Sequence, residues 1–174
     1  MRTIAFLALA VCAAVTSPAA PSGAAPGPGF HGSCAVTGAE TFTPALAARP
    51  RAGAAVVAAS GTCTGTVVDP AGVAHQVSKA PARYRQSTTS GSVSCAGGVL
   101  SGTGTISIVG QDLAFRVVEP QVAVISALHL SGSGWSAIGV AGVIGEKQPL
   151  NLATACFGAG IPSVQVAINF STLG

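Results

Sequence analysis

Residues 163–171 read SVQVAINFS, which is the clearest strand pattern in the chain. Apolar side chains alternate there with polar or small ones, so that every second residue shares one face of an extended strand. The apolar positions are Val164, Val166, Ile168 and Phe170. The positions between them are Gln165, Ala167 and Asn169. This stretch therefore predicts a strand that is buried on one face.

The same alternation, bounded by Gly, Pro, Asp and Ser, continues through most of the chain from residue 31. Since no stretch with helical spacing carries caps at both ends, the fold class is predicted to be all-β with antiparallel neighbours. About nine strands are expected, near residues 33–43, 54–69, 73–78, 92–95, 102–109, 113–119, 122–130, 135–144 and 163–171.

Turn residues separate these strands. Residues 69–72, Asp-Pro-Ala-Gly, predict a turn with Pro preset at its second position, and residues 110–112 fit a hairpin tip. The pair Glu119-Pro120 is expected to end one strand before the next begins. Residues 44–48, PALAA, predict a connecting turn or a single helical turn, because Pro50 stops any longer helix.

Short antiparallel strands at this spacing build either an antiparallel β-sandwich or a small β-barrel, since both protect sheet edges. The sandwich is the favoured prediction of the two. Gly- and Ala-rich strands such as residues 135–145, WSAIGVAGVIG, suit places where sheets bend or approach closely, and they fit either architecture.

Composition limits the function classes. Of the 174 residues, 49% are hydrophobic and 7% are charged, which excludes a chain that is disordered along its whole length. The formal net charge of +3 is too weak to indicate nucleic-acid binding. We expect one domain, at residues 31–174, with no nucleic-acid partner.

The first residues predict export. Residues 1–20 read MRTIAFLALAVCAAVTSPAA, with a positive Arg2 and an apolar run of about 12 residues that is too short to span a bilayer. A signal peptide cleaved between residues 19 and 25, followed by a flexible leader at residues 21–30, is the expected arrangement. Val11 before Cys12 fits a lipoprotein motif poorly. A secreted, extracellular protein without a transmembrane segment is predicted.

After removal of the signal peptide, an even number of cysteines remains, which favours two disulfides in an exported protein. These residues are Cys34, Cys63, Cys95 and Cys156. The spacing leaves all three pairings open. No CxxC motif is present, so a metal site is not predicted.

The sequence contains no recognisable catalytic arrangement. The segment Gly134-Trp135-Ser136-Ala137-Ile138 lacks the second glycine of a nucleophile elbow. Three scattered histidines fit surface positions, and five carboxylates fit turns, loops or the surface. The histidines are His31, His75 and His129, and the acids are Glu40, Asp69, Asp112, Glu119 and Glu146. We expect no catalytic residue, no cofactor, no metal and no enzymatic activity.

One basic stretch stands out. Lys79, Arg83, Tyr84 and Arg85 lie within seven residues and are candidates for an exposed loop that binds an anionic surface or a protease. The favoured interpretation is a loop followed by an edge strand whose charges resist edge-to-edge pairing. Trp135, the only tryptophan, is expected to be a core or rim anchor.

The cysteine surroundings carry a resemblance. The chain resembles small secreted β-proteins of actinobacteria in Cys34-x-x-Thr37-Gly38, Gly61-Thr62-Cys63-Thr64-Gly65, Cys95-Ala96-Gly97-Gly98 and Cys156. Its composition is also similar to that of antitumour chromoprotein apoproteins and of the subtilisin-inhibitor family. The resemblance implies export and a β fold.

Three functions follow as hypotheses. The first is a secreted, non-catalytic β-domain that binds an extracellular partner through loops or an open face, at or outside the cell envelope. The second is an extracellular carrier of a small apolar ligand, held by strands such as residues 122–130 and 135–144, where Gly139, Ala141 and Gly142 leave room. The third is a protease inhibitor that uses the basic stretch.

Overall fold

The stretch SVQVAINFS forms most of the last strand of a closed barrel. The structure is a computed structural model that describes residues 27–145 and 149–173. The predicted signal peptide at residues 1–20, the first part of the predicted leader, and Glu146 lie outside these ranges. The last two residues of the predicted leader range, Gly29 and Phe30, are already part of the first strand.

Eight strands and one short helix are described. The strands are β1 (Gly29–Leu46), β2 (Arg51–Val68), β3 (Ala74–Ser94), β4 (Gly97–Ile108), β5 (Gln111–Val122), β6 (Ile125–Gly132), β7 (Ser136–Ile144) and β8 (Ile161–Thr172). The helix α1 (Pro149–Phe157) lies between β7 and β8. The all-β fold class is thus confirmed, while the helix was not predicted.

Each strand pairs antiparallel with the next, and β8 returns to pair with β1, which closes the barrel. The closing register places Cys34 of β1 opposite Phe170 of β8. Of the two architectures considered, the barrel is correct and the favoured sandwich is wrong. Closure pairs both edges of the sheet, which removes the exposed edges that a sandwich retains.

Two of the nine predicted strands form a single strand in the structure. The strands predicted at residues 73–78 and 92–95 both fall on the single strand β3, from Ala74 to Ser94, which also contains the whole segment 79–85. The irregular residues are absorbed without ending the strand. Lys79 has a φ of 49° where the register with β2 shifts, and Pro81 lies just beyond the last residue that pairs with β4.

Two further strands end later than expected. β1 continues through Pro44 to Leu46, so that of the predicted connecting turn at residues 44–48 only residues 47 and 48 lie in the connection to β2, and β5 continues through Pro120 to Val122. Pro120 lies where the pairing of β5 with β6 is interrupted, between Val118 and Gln121, so its missing N–H removes no bond from that ladder.

The predicted turn at residues 69–72 is confirmed, and the hairpin tip predicted at residues 110–112 lies one residue earlier, at Val109 and Gly110. Gly72 N donates a 2.9 Å hydrogen bond to the carbonyl of Asp69, and Val109 with Gly110 connects β4 to β5. Both residues of this second turn have positive φ, as a two-residue hairpin requires.

Alternation sends one face of every strand into the barrel. In β8 the four predicted apolar residues are all buried, and Gln165 and Asn169 are exposed. Two disulfides, Cys34–Cys63 and Cys95–Cys156, are formed. In the described ranges, no helix is both long and apolar enough to cross a membrane.

Candidate functional site

A cavity of about 410 Å³ opens at one end of the barrel, beneath α1. Its wall is built from the end of β1, the turn between β5 and β6, the middle of β7, the start of β8, and α1. Most of the lining is aliphatic or aromatic. Representative wall residues are Phe42, Leu46, Val124, Ala141, Leu152 and Val164.

The helix is fastened over this end by a disulfide and by backbone hydrogen bonds. Cys156, in the last turn of α1, is bonded to Cys95, which directly follows β3. Ala48 N donates a 3.1 Å hydrogen bond to the carbonyl of Cys156, and Cys95 N donates a 3.0 Å bond to the carbonyl of Ala47. α1 is therefore held as a cover, and the bridge itself forms part of the cavity wall.

Of the described residues that line the cavity, three have polar side chains in the barrel interior: Glu40, Gln121 and Ser126. Glu40 is 4% exposed, and its Oε1 has no hydrogen-bond partner. A buried polar atom without a partner is rare, because it loses its bonds to water and gains none from the protein. This carboxyl group is the chemically distinctive feature of the cavity.

A second buried acid lies near the first. Glu119 of β5 is 1% exposed, and its Oε2 accepts a 2.6 Å hydrogen bond from Nε2 of Gln86. Gln121 Nε2 donates a longer bond, of 3.5 Å, to Glu119 Oε1. The hydroxyl of Tyr84 donates to Gln86 Oε1, which orients the amide of Gln86 toward the acid. Glu119 is thus held by donors, whereas Glu40 Oε1 is not.

Burial, and next the nearby charge of Glu119, raise the pKa of Glu40 from 4.5 to about 8. The same two causes, burial first, raise the pKa of the Tyr84 hydroxyl above its ordinary value, with a smaller contribution from Glu40. Two carboxylates in a low-dielectric interior resist joint ionisation. At neutral pH the carboxyl group of Glu40 is therefore mainly protonated.

No basic side chain of the described residues accompanies these acids inside the barrel. All the arginines and lysines in those ranges are exposed: Arg49, Arg51, Lys79, Arg83, Arg85 and Arg116. The three histidines are exposed too, and His75 is paired with Asp69 at 3.1 Å outside the barrel. That hydrogen bond, followed by backbone donors, lowers the pKa of Asp69.

The predicted binding loop is divided by the barrel wall. Lys79, Arg83 and Arg85 point outward from β3, whereas Tyr84 is 0% exposed and stacks on Phe115 with ring centroids 5.3 Å apart. The expected exposed loop is therefore wrong, because β3 stays paired with β2 along this segment. Tyr84 belongs to the interior network and not to a basic surface.

The predicted anchor role of Trp135 is confirmed. Trp135 is 6% exposed and meets Phe115 edge-on, with centroids 6.1 Å apart. It lies in the turn between β6 and β7, at the end of the barrel opposite to the cavity.

The expected positions of Glu40, at the surface, and of Glu119, at the end of a strand, are wrong, because both acids are buried inside the barrel. A signal for their burial is present in the sequence. Glu40 is in phase with Val36 and Phe42, and Glu119 is in phase with Phe115 and Val117. Alternation, applied without excluding charged residues, places both acids on the inner face.

The outer surface carries a broader, more open depression of about 770 Å³ along β1, β2, β6, β7 and β8. Exposed aliphatic side chains lie beside it, among them Ile138 and Val140. Unlike the end cavity, it contains no buried acid.

Comparison of the chain with protein-family models, with curated proteins and with solved structures finds no match.

Proposed function

We propose that this protein is an extracellular carrier that binds a small, predominantly apolar molecule in the cavity beneath α1. One observation carries the proposal: a mainly apolar cavity of about 410 Å³ at the open end of the barrel, with few polar groups in its described wall. Ligand pockets have this character, with a mainly apolar lining and a small number of polar groups that orient the ligand.

The cavity coincides in part with the strands expected to hold such a ligand. Ala141 and Gly142 of β7 and Ser126 of β6 line it, as do Ala123 and Val124 of the preceding turn. Gly139 does not line the cavity. A Cβ added at this position would lie 2.5 Å from Cβ of Phe170, so the missing side chain makes room for β8 and not for a ligand.

Secretion forms part of the proposal. The two disulfides support an oxidising location, since thiols in the cytosol are kept reduced. The predicted signal peptide agrees with this location.

Binding through loops or an open face remains the alternative. The outer depression and its exposed aliphatic residues favour a partner there. The closed barrel leaves no free sheet edge for strand addition, and we therefore favour the internal cavity.

The test is a titration of the purified, disulfide-bonded protein with N-phenyl-1-naphthylamine, an apolar dye that is uncharged at neutral pH and becomes fluorescent in apolar surroundings. Saturable binding at one site is expected. Ala141→Leu, which adds three carbons to a side chain in the cavity wall, should weaken binding about tenfold or more.

The matched control is Ala114→Leu, the same change on the outer face of β5, which should leave the affinity unaltered. Absence of saturable binding, or equal affinity for the two variants, contradicts the proposal. Tryptophan fluorescence is a poor readout, because Trp135 lies at the other end of the barrel.

A further inference from the structure

Among the residues that the structure describes, the interior of the barrel holds two acids and no compensating cation. Glu40 and Glu119 are both at least 95% buried, and every Lys, Arg and His in the described ranges is exposed. A buried acid is ordinarily paired with a cation or held by donors, because the loss of hydration is otherwise too costly. The described chain supplies no such cation.

The two acids differ in what the protein gives them. Glu119 accepts hydrogen bonds from the side-chain amides of Gln86 and Gln121. Glu40 lies in the cavity wall, and its Oε1 accepts none. The acid that lacks a hydrogen-bond donor, Glu40, is therefore the one that a ligand in the cavity can reach.

We propose that the cavity selects apolar ligands that carry a protonated amine, and that this amine pairs with the carboxylate of Glu40. The inference rests on the carrier function proposed above and names the class of its ligand. An ammonium group supplies up to three N–H donors and a positive charge, and charge-assisted hydrogen bonds are about twice as strong as neutral ones.

Glu119 adds to this selectivity. Its carboxylate acts on the same region of the interior, because its charge is one cause of the perturbed ionisation of Glu40. An ammonium at Glu40 is attracted by both acids, whereas a carboxylate ligand is repelled by both. A ligand with a neutral polar group, such as an alcohol, gains only an uncharged hydrogen bond.

The pairing couples binding to pH. Of the titratable groups inside the described part of the barrel, Glu119 from β5 acts on Glu40 through its charge, and the hydroxyl of Tyr84 from β3 responds to the charges of both acids. The residues that pair with Glu40 on the adjacent strands, Val57 of β2 and Val164 of β8, are apolar. Because the amine requires ionised Glu40, its binding should expel a proton near neutral pH. Its affinity should rise between pH 6 and about pH 8.

Isothermal titration calorimetry of the intact disulfide-bonded protein with three probes of equal chain length tests the inference: n-nonylamine, 1-nonanol and nonanoic acid. At pH 8 the amine should bind about tenfold or more tightly than the alcohol, and the acid should bind most weakly. Buffers of different ionisation enthalpy should reveal proton release with the amine alone.

Glu40→Gln keeps the size of the side chain and removes its charge. This substitution should abolish both the preference for the amine and the proton release, and it should leave the affinity for 1-nonanol unchanged. The control, Asp112→Asn, changes an exposed acid on the β4–β5 hairpin and should leave the amine preference and the proton release unchanged.

The inference is overturned if the alcohol or the acid binds as tightly as the amine to the unmodified protein, or if Glu40→Gln keeps the amine preference. In either case, saturable binding of N-phenyl-1-naphthylamine that is weakened by Ala141→Leu leaves the carrier function standing. Loss of dye binding as well contradicts the carrier function itself.

Discussion

Gln86 of β3 donates a 2.6 Å hydrogen bond to Glu119 of β5, across the strand that separates them. This contact is possible because β4 has glycines at its inward positions 102 and 104, which pair with β3 and β5 at this level. The stacking of Tyr84 on Phe115 crosses β4 in the same way. Absent side chains on one strand thus let polar and aromatic groups of its two neighbours meet inside the barrel.

The bond between Gln86 and Glu119 predicts a large loss of stability when its donor is removed. Gln86→Leu leaves a buried carboxylate without its shorter hydrogen bond, which should lower the free energy of unfolding by about 3 kcal/mol. Urea denaturation measures this change. Gln76→Leu, which removes an exposed amide that bonds Thr66, should change stability by less than about 0.5 kcal/mol. Equal effects of the two changes would show that the buried bond has no special weight.

Glu40 predicts a pH-dependent stability. Its pKa rises from 4.5 in the unfolded chain to about 8 in the barrel, so the folded state binds the proton more tightly. The corresponding stabilisation is complete below pH 4.5 and is lost as the pH rises to about 8, by an amount on the order of 3 kcal/mol. Thermal unfolding of the ligand-free protein at pH 5 and pH 8 measures this difference.

Glu40→Gln should reduce that pH dependence and raise the melting temperature at pH 8. Asp112→Asn should keep the slope of the unmodified protein. A slope that is the same in Glu40→Gln and in the unmodified protein would assign the pH dependence to another group.

Gly104 predicts a steric effect in the core. A Cβ at this position would lie 2.3 Å from Cζ of Phe115 and 2.5 Å from the carbonyl oxygen of Arg85. Gly104→Ala should therefore cost about 2 kcal/mol, since the ring or the strand must move. Gly142→Ala, where no atom lies within 4 Å, is the matched control and should be neutral or slightly stabilising. Chemical denaturation of both variants decides whether the close approach matters.

The two disulfides predict different effects on binding. Replacing either pair by serine should lower stability by about 4 kcal/mol, because the bridges close long loops of the unfolded chain. Only the Cys95→Ser, Cys156→Ser variant should also weaken binding of N-phenyl-1-naphthylamine, since that bridge holds α1 over the cavity. The Cys34–Cys63 bridge joins paired residues of β1 and β2, away from the cavity, so the Cys34→Ser, Cys63→Ser variant serves as the control. Equal binding by the two variants would show that α1 needs no bridge to cover the site.

The basic residues of β3 predict an absence of protease inhibition. Arg83 and Arg85 pair with residues of both β2 and β4, so their backbone is engaged on both sides. A protease needs an extended backbone with free hydrogen-bonding groups. Trypsin should therefore be neither inhibited by the native protein nor able to cut after these two arginines. An activity titration followed by peptide mapping measures both, and inhibition would return these residues to the list of functional candidates.

Much of the interior could be predicted from alternation alone. In β8, alternation correctly predicts the buried residues Val164, Val166, Ile168 and Phe170. The same alternation places Glu40 in phase with its apolar neighbours on β1. Residue type predicts the opposite position for Glu40, at the surface, because charged residues are rarely buried without a partner. At this position periodicity is the correct guide.

The sequence by itself determined that the chain forms amphipathic antiparallel strands and that its spaced cysteines form disulfides. Those properties depend on residues close along the chain, on backbone geometry and on composition. Only the tertiary structure decided that β8 closes onto β1, that Cys34 bonds to Cys63 and Cys95 to Cys156, and that Glu40 shares the interior with Glu119. The physical reason is that strand alternation specifies which face of a strand is buried but not which strand lies opposite. That choice depends on closure of the whole sheet around one shared core.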